Sequence, residues 1–130
     1  MPEPTQPILY AVAASLPDEP LRDDYVAWLT GGHVQDVIAA GAIEARVVVL
    51  DPESPPSPSE NATFRVESVY IFPTRQALET YFRDHAPRLR AQGVARFASR
   101  GVTFQRRIGR VAGVFSSRSI AALGSHGASA

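Results

Sequence analysis

Apolar positions in this chain gather into short runs separated by proline, glycine and charge, and their period changes from run to run. Ile8 to Ala14 (ILYAVAA), bounded by Pro7 and by SLPDEP, is predicted as a first strand. Asp18 or Glu19 ahead of Pro20 suits the first turn of a helix, and Leu21, Tyr25, Trp28 and Leu29 then recur on one face up to Thr30. Gly31 and Gly32 interrupt that rhythm; HVQDVIAAG resumes it through Val34, Val37 and Ile38, with Gly41 placed to close it. Ala42 to Leu50 (AIEARVVVL) alternates as a second strand, and Thr63 to Phe72 (TFRVESVYIF) is a third, β-branched and aromatic throughout. Pro73 and Thr74 open a second helix, in which Leu78, Phe82, His85 and Leu89 fall at helical spacing. Pro87 should bend or break it, with RLRAQGVARF as a short continuation. Val102 to Ile108 (VTFQRRI) is the fourth strand.

The order β-α-β-β-α-β specifies a split βαβ, ferredoxin-like plait of the α+β class. Right-handed crossovers put both helices on one face of a four-stranded antiparallel sheet and leave the other bare. Alternation then assigns the faces. Ile43, Ala45, Val47 and Val49, then Phe64, Val66, Ser68, Tyr70 and Phe72, then Val102, Phe104, Arg106 and Ile108 make the better core side. The bare side shows Glu44, Arg46, Val48 and Leu50; Arg65, Glu67, Val69 and Ile71; and Thr103, Gln105, Arg107 and Gly109. A solvent-facing sheet has no need of Val48, Leu50, Val69 and Ile71 together, so a second sheet is expected to cover them in a homodimer. Charges enclosed there must pair, stay hydrated or bind a ligand.

Three segments carry a resemblance: Tyr25-Val26-Ala27-Trp28-Leu29, His33-Val34-Gln35-Asp36-Val37 and His85-Ala86-Pro87-Arg88-Leu89-Arg90. With the element order, they make residues 8–110 similar to the dimeric α/β-barrel superfamily, nearest to its small bacterial members of unknown function. The resemblance implies a barrel built from two ferredoxin-like protomers, with a cavity for a small organic molecule. Its members include cofactor-independent monooxygenases, cyclase-like and isomerase-like enzymes and haem-handling proteins, so it names no single reaction. Residues 111–130 fall outside it as a C-terminal tail, expected to be partly disordered, its last residues with His126 among them. A tail helix docked through Ile120 and Leu123 is the other reading. The stretch from Asp51 to Ala62 holds four prolines and three serines and is expected as an exposed loop.

Composition narrows the chemistry. There is no cysteine, which removes disulfides, thiolate catalysis and zinc–thiolate sites. All 13 basic residues are arginine, which removes Schiff-base and lysine-base mechanisms, and they balance 13 acidic residues. Residues 1–75 carry eleven acids and four arginines, residues 76–130 nine arginines and two acids. That asymmetry is the basis of a rival reading as an RNA or phosphate binder. The fold returns the fourth strand beside the first, however, and the third lacks the RNA-binding consensus, so nucleic acid is not the expected partner. No apolar run approaches the length of a membrane span, so no membrane partner and a cytoplasmic location are expected. No motif calls for a cofactor or a metal.

The remaining candidates are individual side chains. His33 can act as base or ligand near neutral pH, or equally cap the preceding helix, and Asp36 lies one turn on, able to orient it. Those two form the candidate catalytic pair. Arg46, Arg65, Glu67, Arg107, Trp28 and His85 are the candidate ligand-binding residues, Arg46 and Arg107 as stabilisers of developing negative charge. Glu67 is alternatively a charge partner of Arg46 or Arg107, and His85 a satisfied core group. Tyr10 and Tyr70 read as core aromatics whose hydroxyls could orient an oxygenated ring. The function expected is binding of a small organic molecule, extending to cofactor-free oxygenation or isomerisation of an oxygenated ring compound. The alternative is a non-catalytic dimeric module. A pocket with a free His33 ring and an unpaired arginine favours the enzyme; a filled interior with every charge paired favours the module.

Overall fold

The computed structural model describes residues 6–51 and 64–117. The proline-rich stretch after Asp51 and the tail from Arg118, with Ile120, Leu123 and His126, lie outside the described residues. Four strands form, β1 (Ile8–Leu16), β2 (Glu44–Val49), β3 (Phe64–Phe72) and β4 (Thr103–Arg110), in the spatial order β2-β3-β1-β4. Every neighbouring pair is antiparallel. This is the ferredoxin-like plait, with β1 at the centre between β3 and β4.

Among the described residues the α-helices are four. α1 (Glu19–Trp28) is opened by Asp18, whose carboxylate accepts from the Leu21 N–H at 2.9 Å, with Pro20 in the first turn where no N–H is needed. A π-helical turn (Leu29–His33) follows, in which Gly32 leaves helical angles, and α2 (Val34–Ala39) continues the chain. Gly41, at φ 133°, ends α2 in a Schellman arrangement: its N–H donates to the Ile38 carbonyl at 3.0 Å, and the Ala42 N–H to that of Val37 at 3.3 Å. α3 (Arg75–Asp84) is capped by the Thr74 hydroxyl, which accepts from the Ala77 N–H at 3.0 Å. α4 (Ala86–Phe97) is a full 12-residue helix, longer than the brief continuation expected. The break between α3 and α4 falls at His85, ahead of Pro87, because the proline ring cannot sit under the carbonyl four residues back.

All helices cover one face, through two hydrophobic clusters. Ile8, Tyr10, Tyr70 and Phe72 of the sheet pack with Val37, Leu78, Tyr81 and Leu89. Ala14, Leu16 and Val66 pack with Leu21, Tyr25, Leu29 and Phe97. Between the clusters lie Val12 and Ser68, paired across β1 and β3; among the described residues Ser68 is the sole buried polar one.

The other face is bare. Register sets Arg46, Val69, Ala11 and Arg107 in one row across it and Val48, Glu67, Ala13 and Gln105 in the next. The small residues of β1 let Arg107 reach over the central strand to Glu67 at 3.2 Å, which leaves Ala11 only 1% exposed.

The barrel implied by the resemblance is not formed. The sheet is open, with β2 and β4 as its two edges and two strands between them. Four strands of six to nine residues are too few to curl and meet, since closure needs more strands tilted in a matched shear. The resemblance is therefore corrected to a ferredoxin-like fold with an open sheet. Replacing Phe97, fully buried under α1, with alanine should cost about 3–5 kcal/mol, and Asp18→Ala about 1 kcal/mol. Urea unfolding followed by Trp28 emission measures both; an unchanged midpoint for Phe97→Ala would contradict this packing.

Candidate functional site

The seam between the two clusters is not filled. A chamber of about 40 Å³ lies there, floored by Tyr10, Val12, Ser68, Phe104 and Arg106 of the sheet. Trp28 and His33 close one side, and Tyr25, Tyr81 and Arg90 complete the polar lining. Its existence follows from the sequence at mid-sheet, where Val12 and Ser68 are too short to meet the helix layer.

Arg106 is the unexpected member. Alternation along β4 turns it toward the helices, opposite Val12, and its Nε donates to the Tyr10 hydroxyl at 3.2 Å. No carboxylate lies within 4.0 Å of it among the described residues, so its charge is met by phenol oxygens and solvent. Tyr10 stacks with Tyr70 at 6.0 Å and meets Phe82 edge-on at 5.1 Å. Burial pushes the Tyr70 phenol up to about 12, and it raises those of Tyr25 and Tyr81 as well, against the pull of nearby Arg106. These three phenols therefore stay protonated at neutral pH. The Ser68 hydroxyl favours ionisation of Tyr70, yet it turns to the Val12 carbonyl at 3.5 Å and leaves the phenol oxygen buried with no hydrogen-bond partner.

His33 follows the kink at Gly32, where the backbone leaves helical angles between α1 and α2. Its ring stacks on Trp28 with centroids 4.1 Å apart. Trp28 is in turn seated on α4, where a Cβ in place of Gly93 would come within 3.1 Å of the indole. His33 Nδ1 is buried and has no hydrogen-bond partner. Burial holds the imidazole below its ordinary value of 6.5, with Asp36 acting in the opposite direction from a distance. The ring is neutral at pH 7, so one nitrogen carries a lone pair.

The structure divides the remaining candidates. Trp28 and His33 meet at the chamber, while Asp36 is exposed and lines a recess on the far side of them. Arg46, Arg65, Glu67 and Arg107 lie on the bare face, separated from His33 by the sheet. Arg107 is paired with Glu67 as one sequence reading had it, and Arg46 lies 3.9 Å from Glu44. His85 sits at the α3–α4 break, half-buried, with an Arg88 nitrogen 3.5 Å from its Nδ1. Sequence reasoning did not single out Arg106, Arg90, Tyr25 or Tyr81 for the site. Arg106 was legible as a cation at a core-facing position between Phe104 and Ile108. The phenols were legible only as apolar bulk.

A ferredoxin-like sheet with a polar chamber under its helices defines the class. The chain belongs to the family described as a domain of unknown function (DUF4286), whose profile matches residues 7–111. No curated protein matches it. Among solved structures, a dimeric ferredoxin-like protein from an uncultured marine organism is 11% identical with a TM-score of 0.66, the match covering 85% of this chain and 99% of that one. A second such dimeric protein from an uncultured marine organism has 10% identity and a TM-score of 0.63 over 85% and 99% of the chains. A monooxygenase from the gene ActVA-Orf6 of Streptomyces coelicolor, in complex with Nanaomycin D, has 16% identity and a TM-score of 0.60 over 88% and 96%. At these identities the likeness is one of fold. No helix among the described residues is long and apolar enough to cross a membrane.

Two outcomes follow for this site. A histidine whose folded value is depressed leaves the native state short of a proton between that value and 6.5, so stability is complete above 6.5 and declines as pH falls through the window. His33→Asn should flatten that part of a stability–pH profile; an unchanged slope would show that His33 is not the depressed group. Tyr70→Phe removes a buried hydroxyl without a partner and should be neutral or stabilising by up to about 1 kcal/mol in urea unfolding.

Proposed function

We propose that the chamber binds the oxygenated edge of a small phenolic or quinonoid ring, and that the protein oxygenates such a ring without a cofactor. The observation that carries the reading is a half-buried, neutral His33 whose buried Nδ1 has no hydrogen-bond partner, lining the same chamber as an arginine without a carboxylate partner. His33 takes the phenolic proton, Arg106 stabilises the phenolate oxygen, and protonated Tyr25 and Tyr81 donate to it. The ring then passes electrons to dioxygen, one oxygen atom forming a new bond to ring carbon and the other leaving as water. For 1-naphthol the balance is one dioxygen consumed, with 1,4-naphthoquinone and one water formed. The fold relative from Streptomyces coelicolor, a monooxygenase in complex with Nanaomycin D, is in keeping with an oxygenating reaction on this fold. The site now uses Arg106 for charge stabilisation in place of Arg46 and Arg107, which the sheet separates from His33.

The bare face pairs with a second copy of the chain. Leu9, Val48, Val69 and Ile71 offer apolar contact there, with Arg46 on the edge strand β2 and the Arg107–Glu67 pair lying across the central strand. Two of the fold relatives are described as dimeric. The mass in solution is expected at twice 14.0 kDa, and Ile71→Arg is expected to give a folded monomer. A wild-type monomer at all concentrations would remove this interface.

Trp28 is the sole tryptophan and lines the chamber, so ligand binding has a built-in reporter. Binding of 5-hydroxy-1,4-naphthoquinone should quench its emission, with no thiol in the chain to be arylated. Arg106→Gln should weaken that binding at least about tenfold. His33→Asn should retain binding while 1-naphthol-dependent oxygen uptake falls about a hundredfold. Quenching without oxygen uptake would reduce the protein to a binding module, and no quenching would remove the ligand class.

A further inference from the structure

The chamber alone cannot hold the ligand assigned to it. About 40 Å³ accommodates a water molecule or two, whereas a benzene ring occupies a cavity of about 150 Å³. The space required lies immediately behind Trp28 and His33. A recess of about 350 Å³ opens there between α4 and the π-helical turn, and the same two side chains form the partition between recess and chamber.

The recess exists because the residues around it are small. Ala27 stands on its α1 side, and a Cβ added to Gly31 or Gly32 would meet nothing within 4 Å. Its α4 wall is polar: Gln92 and Arg96, four residues apart, share one helix face. Arg96 has its guanidinium 5.8 Å from the Phe97 ring and no carboxylate within 4.0 Å among the described residues. Asp36 occupies the opposite wall without pairing with it.

The two halves of the partition differ in how firmly they are held. Trp28 is packed against Tyr25, Phe97 and the Gly93 position of α4. His33 is held by its stack on Trp28, has a free Nδ1, and hangs from the two glycines.

Resting on the ring-binding reading above, we infer that the recess is a second subsite of the same ligand. It holds the body of the ring, with an anionic substituent such as a carboxylate set against Arg96 and Gln92. His33 swings to connect it with the chamber. The family of ligands is thereby narrowed to phenolic rings bearing a negative group on the edge away from the reacting oxygen.

Two probes that differ only in a carboxylate on the ring edge remote from the hydroxyl test this, titrated calorimetrically into the full chain without oxygen: 1-naphthol and 5-hydroxy-1-naphthoate. The wild type should bind the carboxylate about fivefold more tightly, a preference that shrinks as salt is raised. Arg96→Ala should abolish the preference while leaving the 1-naphthol constant unchanged, and Arg96→Lys should restore part of it. Equal binding of the two probes by the wild type, or a preference that survives Arg96→Ala, overturns the subsite and leaves the ring-binding reading standing. If neither probe binds, that reading fails and the subsite fails with it.

Discussion

Strand β1 hydrogen-bonds on both sides, to β3 and to β4, and every other feature of the molecule depends on that double pairing. A strand paired on both sides leaves its neighbours no freedom of register, and the two-residue period then assigns each side chain to the helix layer or to the bare face. Tyr10 is aligned with Tyr70 and Ile108, Val12 with Ser68 and Arg106. A slip of one residue would bring Arg107 under the helices and turn Arg106 outward. The polar chamber and the ion pair across the bare face are thus two consequences of one register.

Above that floor the helix layer is interrupted at two places, and both bear on the chamber. The π-helical turn breaks the first crossover after Trp28, and Pro87 breaks the second at His85. Each break divides one long helix into two that can tilt separately over a twisted sheet. The first break moves His33 out of the α1 stripe and onto Trp28, while the second lets α4 bring Gly93 up to the indole. The resulting wall is one aromatic side chain fixed by packing and one imidazole held chiefly by stacking.

Much of this was legible without coordinates. The β-α-β-β-α-β order, the division of the strands into faces, the helix openings at Asp18 or Glu19 and at Pro73–Thr74, the C-cap at Gly41, and the break associated with Pro87 all follow from local periodicity and backbone chemistry. For the site, Trp28 and His33 were legible from the glycine pair beside them. Arg46 and Arg107 were grouped with His33 because residue type alone does not say that a sheet intervenes. Tyr25 passed for bulk and Tyr81 was not singled out, since a tyrosine among apolar residues has the same pattern whether its hydroxyl meets protein or a void. The barrel came from resemblance and was wrong for this chain, because closure depends on strand number and shear rather than on element order.

What the amino-acid order determined is everything set within a few residues: which segments are strands, which are helices, which side of each faces inward. Only the tertiary structure decided that two core clusters stop short of one another over Val12 and Ser68, and that Arg106 lies beneath the gap with a phenol for its partner. The reason is physical. Inward-facing direction is a property of a backbone with a fixed period, but an unfilled seam is a difference between volumes contributed by seven separate elements. No local pattern carries that difference.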